Sequence, residues 1–250
     1  MFILTQFVLR ASFGLAAAMA ITPPRQVTSG YYRNHLYVLL GLNVLATLVA
    51  WSYPDALPVA PPLIAAVLSY IGAVFWLYEK PRAGISILWS IAAVCLWGAL
   101  AAFPDLGGSR HPGALYVAAT VTSGLLLGVT LAAMFLGHWY LNSPGMAIAP
   151  LERLVLILGA CAVLRAAVSG VGLAMQLMVD EPLRADVLLF VFLRWIAGLL
   201  GPLVLAWMTW RTLKVPNTQS ATGILYVAVI VTFIGELTSL LLTSQLRYPI

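Results

Sequence analysis

Runs of about 20 apolar residues recur along the whole chain, broken by short clusters of proline, glycine and charged residues. A helix of about 20 residues crosses roughly 30 Å of hydrocarbon. The pattern predicts eight spans, at about 2–21, 35–53, 60–78, 84–103, 113–140, 152–178, 186–212 and 222–245. Between them stand Pro23-Pro24, Pro54-Asp55, Pro61-Pro62, Pro81, Pro104 to Gly108, Pro144-Gly145, Glu181-Pro182 and Pro216-Asn217. Proline has no backbone N–H to donate, so it belongs where a span begins or ends. Gly201-Pro202 is the exception, because it falls inside the seventh span and predicts a kink there. The fold class expected is all-α: a polytopic transmembrane bundle of about eight spans with short loops. Residues 1–250 are read as a single integral membrane domain, since no loop is long enough to fold separately in water.

Weaker patterns add detail. Tyr53-Pro54-Asp55 and Phe103-Pro104-Asp105 close the second and fourth spans fifty residues apart, which hints at related hairpins. The suitability of Pro-Asp for any helix-ending turn explains the echo as well. Gly124-x-x-x-Gly128 and the stretch Ser169-Gly170-x-Gly172 present small faces for close helix contact. Phe13 to Ala20, followed by Thr22-Pro23-Pro24, has the look of a signal-peptide end, but no charge precedes Arg10. It is read as a retained first helix.

Composition agrees with a membrane protein: 62% of residues are hydrophobic and only 8% charged. The formal net charge of +5 does not point to nucleic acid, because the basic residues are scattered singly among loops. Their distribution sets an orientation instead. Loops after the odd-numbered spans hold Arg25, Arg33, Lys80, Arg82, Arg153, Arg211 and Lys214, whereas the other side holds only Arg110, Arg184 and Arg247. The positive-inside rule makes the first set cytoplasmic and gives an N-out, C-out topology. Asp55, Asp105, Asp180, Glu181 and Asp186 gather on the outer side. Trp76/Tyr78, Trp139/Tyr140 and Trp207/Trp210 at inner ends, with Trp51/Tyr53 at an outer one, read as interfacial belts. A bacterial inner membrane is the expected setting.

Four charges interrupt the apolar spans: Arg10, Arg165, Arg194 and Glu236. A charge at bilayer depth costs several kcal/mol, so it needs a partner, a cavity or a ligand. At a rise of 1.5 Å per residue, Arg10 and Arg194 lie about 12 Å in from their outer ends. Arg165 and Glu236 lie about 20 Å from their inner ends. All four levels fall at mid-bilayer or in the outer half, which predicts one cluster drawn from four helices. Three arginines against one glutamate suit an anionic or carbonyl-bearing ligand, such as a quinone headgroup, lipid phosphate or organic anion. Gln6, Gln176 and Thr238 are placed to add neutral hydrogen bonds. The same residues also suit an ion network that only fixes helix register.

Of the three histidines, His111 is read as a solvated loop residue, while His35 and His138 lie near the inner surface on separate spans. Two imidazoles so placed could ligate a b-type haem, with propionates toward Arg25, Arg33 or Arg153. Each serves equally as an interfacial side chain. The stretch Gly137 to Gly145 is the densest polar-aromatic segment and suits a partner subunit or headgroup. Cys95 and Cys161 are read as buried thiols, and no metal-ligand spacing occurs. Walker A, HExxH and GxSxG sequences are missing, which disfavours self-contained ATPase or hydrolase chemistry. Three readings remain. The chain is a subunit of a larger electron-transfer or respiratory complex, with a quinone site and a haem in prospect. It is a small anion- or proton-coupled transporter. Or it is a structural subunit among membrane lipids and partner chains.

Overall fold

The computed structural model describes residues 2–53, 57–102, 113–143, 145–179, 184–215 and 217–250. These form α1 (Phe2–Ile21), α2 (Ser29–Ser52), α3 (Ala60–Leu77), α4 (Pro81–Ala101) and α5 (Gly113–Asn142). Then come α6 (Ala149–Leu177), α7 (Ala185–Trp195), a π turn (Ile196–Leu200), α8 (Gly201–Leu213) and α9 (Thr218–Thr243). With α7, the π turn and α8 counted as one span, eight helices are long and apolar enough to cross a membrane. Pro61-Pro62, Pro81 and Pro150 each occupy a first helical turn, where the missing N–H costs nothing. Asn217 caps α9 by accepting the Ser220 N–H at 3.0 Å. Gly145, at φ 95°, adopts the left-handed backbone that the turn from α5 to α6 requires.

Two helices form the axis of the bundle. In their most apolar stretches, 78% of α1 and 83% of α5 is buried, against 50% or less in every other span. On one side α2, α3 and α4 pack in sequence and close on α1, and on the other α6, α8 and α9 close on α5. One apolar core runs through both groups, from Leu36 and Leu88 to Leu158 and Leu225. The outward faces carry exposed Leu48, Val67, Leu189 and Ile230, as lipid contact requires. At the centre the small faces do what their spacing suggested. A Cβ on Gly128 would overlap the backbone of Gly14 and Leu15, and one on Gly14 would overlap the Gly124 carbonyl.

The observed helices overrun several expected span ends. α2 begins at Ser29, six residues earlier than hydropathy placed it, and α6 and α9 begin at Ala149 and Thr218. Hydropathy marks the edge of hydrocarbon, whereas a helix continues through the interface while one face stays packed. Tyr31 and Tyr32 supply that face in α2. Both are fully buried, and their hydroxyls donate to the carbonyls of Ala132 (3.3 Å) and Thr22 (2.8 Å). Trp76 is also not a belt residue: it is buried and stacks on Tyr32 with centroids 3.9 Å apart. Trp139 is held inward too, donating to the Thr28 hydroxyl at 2.8 Å. The repeated Pro-Asp turns, His111, Asp105 and Arg110 lie outside the described residues.

The expected break near Gly201-Pro202 takes the form of the π turn just before it. Pro202 cannot donate to the Gly198 carbonyl, and the Gly201 N–H reaches back five residues to Ile196. Buried positions follow the same shift, with four-residue steps from Arg194 through Gly198 and Pro202 to Ala206. An uninterrupted α-helix would carry such a series around its surface.

Gly128→Leu is expected to lower the detergent melting temperature by roughly 10 °C or to abolish folding, since α1 and α5 must separate. Gly41→Leu, where an added Cβ meets nothing within 4 Å, should melt with the parent protein. Differential scanning fluorimetry of the two variants checks this.

Candidate functional site

The carboxylate of Glu236 on α9 is held by two guanidinium groups. Arg165 on α6 approaches it as a fork, with Nε 3.2 Å from Oε1 and Nη2 3.3 Å from Oε2. Arg194 at the end of α7 places Nη2 2.8 Å from Oε1. All three side chains are completely buried. Ion pairing, shape and hydroxyl groups together compensate the loss of water. Arg165 Nη2 donates to Ser239 Oγ at 2.7 Å, Arg194 Nη2 is 3.5 Å from Ser169 Oγ, and Ser123 on α5 stands beside the carboxylate.

Two glycines make the geometry available. Gly198, in the π turn, and Gly235, beside Glu236, bring their helices so close that a Cβ on Gly198 would lie 2.5 Å from Gly235 Cα. The same Cβ would lie 2.8 Å from Arg194 Nη1, and one on Gly235 would lie 3.1 Å from it. Without side chains there, the Arg194 guanidinium occupies the space between the helices. A glycine one turn from a buried charge was visible in the sequence as a signal of this packing. The hydroxyls of Ser123 and Ser239 carried no such signal.

Arg10 takes a neighbouring place. α1 meets α9 through an edge-to-face contact of Phe7 and Phe233, at 4.9 Å, one turn before Arg10 and Glu236 on their helices. Arg10 is buried and within electrostatic range of Arg165 and Glu236, but it forms no ion pair with Glu236. Its Nε donates to Gln6 Oε1 at 3.1 Å, and its guanidinium lies 5.8 Å from the Tyr116 ring centre. Gln6 in turn donates to the Ala99 and Ala102 carbonyls at the end of α4, at 2.7 and 3.1 Å. Gln6 therefore orients Arg10 and does not itself reach the ion pairs.

Gln176 and Thr238 are not brought to the cluster. Gln176 stands eleven residues beyond Arg165, about 17 Å along the same helix. Its Oε1 accepts the N–H groups of Arg247 and Tyr248, at 3.1 and 3.2 Å. Thr238 bonds the Ile234 carbonyl of its own helix, 2.7 Å away. The segment that Gln176 ties down folds back between α6, α7 and α9. Pro249 packs on Gly172, Ile250 is buried against Val187, Val191 and Leu242, and Ser239 Oγ donates to the Ile250 carbonyl. Ser239 thus joins this segment to Arg165.

The histidines sit elsewhere. His35 lies inside α2, its Nδ1 2.6 Å from the Tyr31 carbonyl and its ring stacked on Phe135 at 4.5 Å. Trp139 meets it edge-on and Tyr31 at a tilt. His138 Nδ1 pairs with the Tyr226 hydroxyl at 3.2 Å. His35 is thus held among aromatic rings, whereas His138 is exposed. Cys95 and Cys161 are free thiols, and Cys95 donates to Asn43 Oδ1 at 3.4 Å. Among the described residues no group of three His, Cys, Asp or Glu side chains is arranged to hold a metal ion.

Chemically, the cluster is a buried array of N–H donors with surplus positive charge. Arg165 Nη1 and Arg194 Nε and Nη1 are buried with no acceptor among the described residues. No family model, no curated protein and no solved structure matches the chain.

Glu236→Gln leaves two buried guanidinium groups without a counter-charge. Breaking a buried pair in this way costs about 3–5 kcal/mol, so the melting temperature should fall by roughly 10 °C. The double variant Arg194→Gln/Glu236→Gln should recover part of that loss, and thermal melts of the mutant cycle measure the coupling. Separately, Gly172→Val should dislodge Pro249. A Cys introduced at Ile250 then reacts with a water-soluble maleimide, as it should not in the Gly172 background.

Proposed function

We propose that this chain is an integral membrane subunit of a larger electron-transfer assembly, and that its arginine cluster receives a carbonyl-bearing or anionic ligand of the quinone type. The observation that carries this reading is the imbalance at the cluster. Three guanidinium groups face one carboxylate, and three of their nitrogens are buried without an acceptor among the described residues. Buried N–H groups lacking acceptors cost about 1–3 kcal/mol each, more when charged. A quinone carbonyl supplies an acceptor without importing charge, and an isoprenoid tail is soluble in the surrounding lipid. Arg165 and Arg194, fixed by Glu236, would hold the headgroup, with Arg10 at its edge. The short loops leave the donor or acceptor of electrons to partner subunits. The excess of cationic loop residues on one side favours a bacterial inner membrane, with both ends of the chain outward.

The histidine pair has no part in this reading: His35 is enclosed by aromatic neighbours, and His138 is exposed and bonded to Tyr226. A second reading, carriage of an anion, draws on the π turn immediately after Arg194. Irregular backbone at membrane depth is where transporters build their sites.

Titration of the nanodisc-embedded protein with decylubiquinone, followed by tryptophan fluorescence, tests the proposal. Saturable quenching is expected, weakened about 10-fold or more in Arg194→Gln by loss of a charged hydrogen bond. Arg10→Gln, which breaks no ion pair, should weaken it less while keeping the parent's melting temperature. Absence of saturable binding would overturn the quinone reading. Uptake of a labelled organic anion into proteoliposomes, lost in Arg194→Gln, would establish carriage in its place.

A further inference from the structure

A groove of about 310 Å³ lies between α6 and α8, open to the lipid side, and its end at Val163 is two residues from Arg165 but on the exposed face of α6. Leu156, Gly159 and Val163 form one wall, and Leu203, Trp207 and Trp210 form the other. On each helix these positions recur at three and four residues, so each wall is a single face. Leu156, Val163 and Trp207 are more than half exposed in the isolated chain. Gly159 gives the groove its depth, since a Cβ there would meet no atom within 4 Å.

The inner end of this apolar cleft is cationic. Lys214 Nζ lies 5.0 Å from the Trp210 ring centre, and the Arg211 guanidinium lies 5.9 Å from that of Trp207. Both rings belong to the groove wall. From the first turn of α6, Glu152 reaches across to Lys214, with Oε1 and Nζ 3.3 Å apart, and Arg153 follows it in an exposed position. Three cations and one carboxylate therefore surround the mouth.

The dimensions select the occupant. Val155 and Val163 bound the α6 wall, about 12 Å apart along the helix. A helix about 10 Å across would fill roughly 900 Å³ over that length, far more than the groove holds. The groove therefore suits a slender hydrocarbon chain and not an inserted helix. An apolar slot for one chain, tryptophans at the interface and surplus positive charge above them describe an anionic amphiphile. We propose that the groove binds one anionic glycerophospholipid of the cytoplasmic leaflet. An acyl chain lies along Gly159, and the phosphate is held by Arg211 and Lys214 with Arg153 beside them. Lys214 keeps donors free beyond its bond to Glu152, because an ammonium group carries three. The site is independent of what the buried cluster binds.

Native mass spectrometry of the full chain, reconstituted with phosphatidylglycerol or with phosphatidylcholine of identical acyl chains, provides the test. One phosphatidylglycerol adduct should survive collision energies that strip phosphatidylcholine. Its abundance should drop about fivefold or more in Gly159→Leu, which fills the slot, and in Arg211→Gln/Lys214→Gln, which removes the headgroup contacts. Melting temperatures of both variants, measured in lipid-free detergent, should match the parent protein. Equal retention of the two lipids by the parent protein overturns the proposal. So does an adduct that survives Gly159→Leu unchanged, since a headgroup could then be held on the surface without any chain in the groove.

Discussion

A carboxylate clamped between two guanidinium groups, closed off from bulk solvent, constrains this bundle more than any other contact. In hydrocarbon an unpaired charge is far more costly than a misplaced methyl group, so Glu236, Arg165 and Arg194 must meet at one height. That condition fixes the relative axial positions of α6, α7 and α9, which apolar packing alone leaves free to slide. Gly198 and Gly235 follow from it, because the arginine must fit between two helices otherwise in contact. Ser239 extends the constraint to residues 246–250 through the Ile250 carbonyl.

The two halves of the molecule rest on different physics. Around α1, the contacts are steric: glycine against glycine at Gly14, Gly124 and Gly128, and ring on ring at Tyr32 and Trp76. Around α9, the contacts are electrostatic and hydroxylic. Arg10 stands at the seam, anchored by Gln6 to the end of α4 and facing the ion pairs across α1. Such an arrangement gives one half a fixed wall and the other an array of donors aimed from it.

How much of this could be read from the residues depended on whether a property follows the chain or crosses it. Span number and the shared height of the buried charges follow the chain, because rise per residue and apolar length are fixed by helix geometry. Lateral neighbours do not. Gln176, by contrast, fails on the axial measure itself, eleven residues and three turns beyond Arg165 on the same helix, and is tied to residues 247 and 248. Ser123 and Ser239 were hidden among hydroxyls such as Thr122, Thr130, Thr209 and Thr238, which bond carbonyls of their own helices. Helix starts were misplaced where a packed aromatic face, as at Tyr31 and Tyr32, carried the helix beyond the hydrocarbon. Trp76 looked like a belt residue because a sequence gives depth but no azimuth.

The π turn between Trp195 and Gly201 implies one more residue than an α-helical ladder over the same stretch would hold. Removing that residue would close the wide turn into ordinary α-helix and leave the two flanks nearly in phase. Arg194 would keep its carboxylate and Ala206, Thr209 and Leu213 their inward faces, but Pro202 would then press on the carbonyl one turn before it. A single-codon deletion at this point would therefore spare the buried charges and forfeit only the room made for the proline. The length of this short segment and the presence of Pro202 should accordingly change together among diverging sequences.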